Sequence, residues 1–163
     1  MPRLDLSKAP VKTGSIYPEP YASQMAGRTS LRLGDLGGLT QFGVNLVILQ
    51  PGAKSSLRHW HLHEDEFVMV TEGKLTLIQD GGEFSMQPGD CAAFKAGDPD
   101  GHQFVNRSDT EARFLVVGTK APHEVATYSD LDLLLTVKNG SATFTLKDGS
   151  PLPSTRPIGD END

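Results

Sequence analysis

Cysteine is almost missing from this chain of 163 residues: Cys91 stands alone. An internal disulfide is therefore excluded, and a lone thiol fits a reducing compartment. Cys91 itself is expected to be buried and inert. Long apolar runs are missing as well. No stretch approaches the ~20 apolar residues of a membrane span. The opening MPRLDLSKAP lacks the apolar core of a signal peptide. No run of Lys or Arg stands out, and the net charge is −6. That balance argues against nucleic acid or an anionic membrane as a partner. The expectation is a cytoplasmic protein that meets a small molecule.

Helical periodicity is also scarce, whereas 17 glycines and 11 prolines supply many turns. Short apolar runs lie between them. FGVNLVILQ at 42–50 ends at Pro51-Gly52, and KLTLIQ at 74–79 alternates polar with apolar residues before Asp80-Gly81-Gly82. Such alternation marks half-buried strands, and the glycines allow the turns that join them. Further strands are expected at 31–33, 57–61, 67–72, 83–87, 91–94, 102–105 and 112–118. Leu133–Val137 and Ala142–Leu146 read as a hairpin about Asn139-Gly140. About eight short strands at near-regular spacing imply an all-β barrel or jelly roll. The expected divisions are an extended arm over 1–30, a barrel over 31–120, and an extension over 121–163 packed on the barrel. The stretch 151–163 is expected to be loose.

The chemistry concentrates in PGAKSSLRHWHLHEDEFVMVTEG, residues 51–73. Alternate side chains on a strand share a face, so His59 and His61 project together and Trp60 opposes them. Glu66 opens the next strand, and an antiparallel partner strand would bring it to the histidines. Two imidazoles and a carboxylate suit a borderline divalent transition metal. His102 is the expected fourth ligand, brought in by closure of a barrel. A polar turn beside two incidental histidines is the competing reading. A shifted register pairing His61 with His63 ranks below. His63 and Glu64 are the candidates for general acid–base work, although a surface turn suits His63 at least as well. His123 reads as a surface residue. Trp60 and Phe67 are expected in the core or at a dimer interface. Asn106 and Gln103 are read as groups that orient ligands, and a turn role suits Asn106 at least as well.

These residues carry a resemblance. Gly52, six residues, His59-x-His61, four residues, Glu66, six residues and Gly73 is similar to the first motif of the cupin superfamily, with one extra residue before His59. Gly89, His102 and Asn106 resemble the second motif. There Lys95 replaces a usual proline, and four residues rather than two separate Gly97 from His102. The resemblance implies a double-stranded β-helix and one divalent metal per chain (zinc, manganese, iron or nickel) on His59, His61, Glu66 and His102. It also implies paired barrels, hence a homodimer. Small cupins of this kind resemble sugar phosphate isomerases. An isomerase of a sugar or sugar phosphate is therefore expected, with an iron-dependent dioxygenase or a non-catalytic binder as alternatives. Lys54, Lys95 and Arg107 lie nearest the motifs as phosphate partners.

Overall fold

The computed structural model describes residues 3–157. The chain folds as a jelly-roll barrel. One wall is a six-stranded antiparallel sheet in the order β1 (Val11–Thr13), β2 (Arg28–Arg32), β3 (Phe42–Leu49), β10 (Ala112–Thr119), β5 (Glu66–Glu72), β8 (Cys91–Phe94). The other wall is two smaller sheets. Strands β14 (Pro151–Pro157), β13 (Ser141–Thr145), β12 (Leu134–Lys138), β11 (His123–Tyr128) and β4 (His59–His61) form one. Strands β7 (Gly82–Met86), β6 (Leu75–Gln79) and β9 (Gln103–Val105) form the other. The bridge His59↔His102 ties β4 to the residue before β9, and Lys54↔Val105 ties the segment between β3 and β4 to β9.

Alternation explains which face each strand buries. In β6, Leu75 and Leu77 are buried while Thr76 between them is not. They meet Val47 and Leu49 of β3, Val68 and Val70 of β5, Phe104 of β9 and Phe114 of β10 in the main core. Apolar burial at roughly 25 cal/mol per Å² makes this contact between walls the chief source of stability. A second cluster holds Met25, Leu57, Tyr128, Leu133 and Phe144, with Ile16, Tyr17 and Tyr21 packed against it. The N-terminal segment thus packs on β11 and β13. β12 and β13 turn at Asn139 (φ 51°) and Gly140 (φ 79°). Two successive positive φ values are what a tight hairpin turn needs.

Several expectations need correction. The strand expected at 31–33 runs from Arg28 to Arg32, and Leu33–Leu36 is a helical turn. Strand β11 was unexpected, because buried Glu124 breaks its apolar pattern. The stretch expected to be loose begins with β14, while 158–163 lie outside the described residues. Cys91 is exposed, because alternation turns Cys91 and Ala93 to the outer face of β8 while Ala92 and Phe94 pack on the core. Phe67 is 41% exposed on the outer face, so it is no core residue of this chain, and Trp60 is only partly buried. Among the described residues, no helix is long and apolar enough to cross a membrane.

Candidate metal centre

Strand β4 sets the first two histidines. Its pairing with β11 places His61 opposite Ala126 and His59 opposite Tyr128. On its other edge His59 and His102 exchange backbone hydrogen bonds, His59 N–H to His102 O at 3.2 Å and His102 N–H to His59 O at 2.9 Å. Residues paired this way lie directly opposite, so their side chains share a face. The loop before His102 carries the extra residues of the second motif and is pinned. Asp100 accepts the Asp80 N–H at 2.8 Å, and Arg58 donates to Gly101 O at 3.3 Å. Arg58 otherwise faces away, bound to Asp80 and Asp130.

Glu66 arrives differently from expectation. β5 does not pair with β4; it lies in the facing six-stranded sheet, between β10 and β8. Glu66 reaches the histidines across the barrel rather than along a ladder. The four side chains still converge. The Nε2 atoms of His59 and His61 are 3.1 Å apart. Glu66 Oε1 is 3.3 Å from His102 Nε2, and Oε2 is 3.7 Å from His61 Nε2.

The surroundings orient each ring. His59 Nδ1–H donates to Leu57 O at 2.8 Å, which leaves the Nε2 lone pair facing the centre. The His102 ring stacks on Phe94 with centroids 3.6 Å apart. His61 Nδ1 lies 3.9 Å from Glu124 Oε1. Glu124 was missed in the sequence. It is buried and accepts the N–H groups of Leu62, His63 and Val125. The Nδ1 atoms of His61 and His102 are buried with no hydrogen-bond partner among the described residues.

Burial pushes His59 down to about 3, with His61 and His102 adding to the effect and Glu66 opposing it. His61 is also lowered by burial, against the pull of Glu66 and Glu124. Burial would raise Glu66, but the His102 hydrogen bond and the three nearby imidazoles hold it at about 2. Neutral imidazoles at His59 and His61 facing an ionised carboxylate are in the protonation states that a metal requires. Two ligand atoms each ~2.1 Å from one ion sit ~3.0 Å apart at a right angle and ~3.4 Å apart at the tetrahedral angle. The observed spacings suit such an ion.

All four residues line a cavity of about 700 Å³ between the walls. His63 and Glu64 do not. His63 is an exposed turn residue beside His123, ring centroids 5.7 Å apart. Glu64 accepts the Ala121 N–H at 2.8 Å and lines a smaller cavity of about 40 Å³ that touches His61 and His102. His61, Glu64 and Glu124 present ligand atoms within 4.8 Å of one another, a second group close enough to hold an ion. Asn106 serves the turn: buried, it donates to Leu49 O and Thr110 O and accepts from Ser108. Gln103 donates to Ser56 O rather than to a ligand.

The cupin domain family matches residues 45–118. No curated protein matches the chain. The crystal structure of a cupin-superfamily sugar phosphate isomerase from Silicibacter pomeroyi DSS-3 is 61% identical over 97% of this chain and 100% of that one, with a TM-score of 0.91. A proposed sugar phosphate isomerase from Acidithiobacillus ferrooxidans is 26% identical over 90% of both chains, with a TM-score of 0.76. A polyketide cyclase from Streptomyces resistomycificus is 25% identical over 73% of this chain and 79% of that one, with a TM-score of 0.57. Fold, motif placement and the 61% identical relative lead to one conclusion: the chain belongs to the cupin superfamily.

Proposed function

We propose that this protein is a metal-dependent isomerase of a sugar or sugar phosphate, with His59, His61, His102 and Glu66 as the metal ligands. One observation carries the reading. Three imidazoles and a carboxylate meet on the wall of a cavity that is also lined by Lys12, Arg28, Arg32 and Lys120. A divalent ion held there supplies Lewis-acid polarisation of a substrate carbonyl and its neighbouring hydroxyl. The cations offer a phosphate its partners. Lys54, Lys95 and Arg107 do not line this cavity; Lys95 faces the smaller one, and Arg107 pairs with Glu83. The 61% identical relative, a sugar phosphate isomerase, supports the choice of reaction class.

Glu64 and Glu124 are proposed as positioning residues behind His61 rather than as ligands. The Glu124 oxygens already accept three backbone N–H groups, and Glu64 accepts one. Isomerisation also moves a proton between adjacent carbons, so an acid–base group must lie within hydrogen-bond reach of them. Outside the ligand set, Tyr17, Tyr128 and Asp35 are the acidic groups lining the cavity. Arg32 and Lys120 both bind Asp35, at 2.6 Å and 3.4 Å.

The test is a panel of aldose and ketose phosphates incubated with the metal-loaded protein and read by NMR. Interconversion of at least one pair, lost in Glu66→Ala, is expected. An inert panel contradicts the reading. Oxygen uptake by the iron form with that inert panel points to a dioxygenase instead.

A further inference from the structure

Two residues of the N-terminal segment, Arg28 and Tyr17, line the cavity with N–H and O–H donors. Arg28, on β2, donates Nε–H to Ser55 O at 2.7 Å and Nη1–H to Gly14 O at 3.1 Å. Both acceptors are neutral backbone carbonyls. Among the described residues, no carboxylate lies within salt-bridge distance of its guanidinium. A partly buried cation without a counter-charge in contact is costly unless an anion joins it. Burial lowers its affinity for the proton, while Tyr17 and Glu66 restore part of it, which places those groups close by.

Tyr17 is the second. Its ring is wedged edge-on between Tyr128 and Phe144, with centroids 5.6 and 5.9 Å away. Its oxygen accepts the Leu57 N–H at 3.3 Å. The same Leu57 residue accepts from His59 Nδ1 through its carbonyl. One residue of backbone therefore links the Tyr17 oxygen to a ring of the metal centre. The Tyr128 hydroxyl also hydrogen-bonds this oxygen as the donor, so the Tyr17 oxygen accepts from both and its own O–H is left to donate to an anion in the cavity.

We propose that Arg28 and Tyr17 form an oxyanion subsite, which takes the phosphate or carboxylate group of a small substrate beside the histidine–glutamate centre. Both lie outside residues 45–118, so this chemistry is added to the common barrel by the segment ahead of it. The inference deepens the isomerase reading and rests on it for the choice of phosphate.

The experiment is calorimetric titration of full-length, zinc-loaded protein with inorganic phosphate and, separately, with malonate. Metal content is measured in every sample. Arg28→Gln should weaken anion binding by about tenfold or more, and Tyr17→Phe by a smaller factor, at unchanged metal content. Arg28→Lys should rescue only part of the loss, because it keeps the charge and not the planar fork. Where Arg28→Gln fails to fold, Tyr17→Phe decides, since it removes one hydroxyl and keeps the ring packing. Equal anion affinity in the wild type and the folded variants, or no binding of either anion, overturns the proposal. Binding of malonate alone, dependent on Arg28, supports the subsite and contradicts the sugar phosphate reading. Phosphate binding indifferent to Arg28 contradicts the subsite and leaves that reading standing.

Discussion

His59 is the most constrained residue of the centre, and it ties pH to stability. Its folded value of about 3 lies below the ordinary 6.5, and Glu66 at about 2 lies below 4.5. For both groups the unfolded chain binds protons more readily. Their contribution is complete above about pH 6.5, is lost from His59 as pH falls toward 3, and is lost from Glu66 between about 4.5 and 2. The metal-free protein should therefore show a flat melting temperature from pH 8 to 7 and a fall from pH 6.5 to 4.5. His59→Gln should flatten the upper part of that fall. A melting temperature that holds steady to pH 5 contradicts the burial argument. Glu124→Gln tests the orienting carboxylate behind His61; metal affinity should drop by about tenfold or more while the fold survives. The convergence of His59, His61, Glu66 and His102 was legible because i, i+2 alternation acts locally and the motif spacing singles out the other two. Glu124, Arg28 and Tyr17 were not, since nothing within their own segments announces what they face.

Strands were more legible than their pairing. The alternation in β6 and the glycine turns marked element positions, but not which wall each strand joins. Glu66 was expected on a ladder beside His59 and instead crosses the barrel from β5. Register depends on the buried faces of distant strands, which no window of sequence contains. Turns carry their own requirement. Gly73, between β5 and β6, has φ +71°, and an added Cβ would meet Glu111 O at 2.6 Å and Ala112 Cα at 2.8 Å. Gly89 has φ +95° and open space around it. Gly73→Ala should cost more than the ~1–3 kcal/mol that left-handed strain alone costs, and Gly89→Ala should stay near that range. Urea unfolding measures both. Equal losses would show that backbone strain alone decides and that the clash at Gly73 relaxes.

At the scale of the molecule, a barrel with room for a small ligand was legible from turn density and short strands, whereas the cations lining its cavity were not. The lining cations come from β1, β2 and the segment after β10, and only closure of the sheet gathers them. The N-terminal segment also leaves Leu6 47% and Val11 61% exposed, beside and on the edge strand β1. A homodimer that covers this edge is expected, and light scattering at micromolar concentration should give twice the monomer mass. A monomer mass contradicts it. The central claim is the metal, and elemental analysis of untagged protein purified without added metal tests it most directly. The account predicts close to one divalent transition metal per chain, with Glu66→Ala and His102→Ala folded but depleted. No metal in the wild type even after reloading, or unchanged metal in both variants, contradicts it.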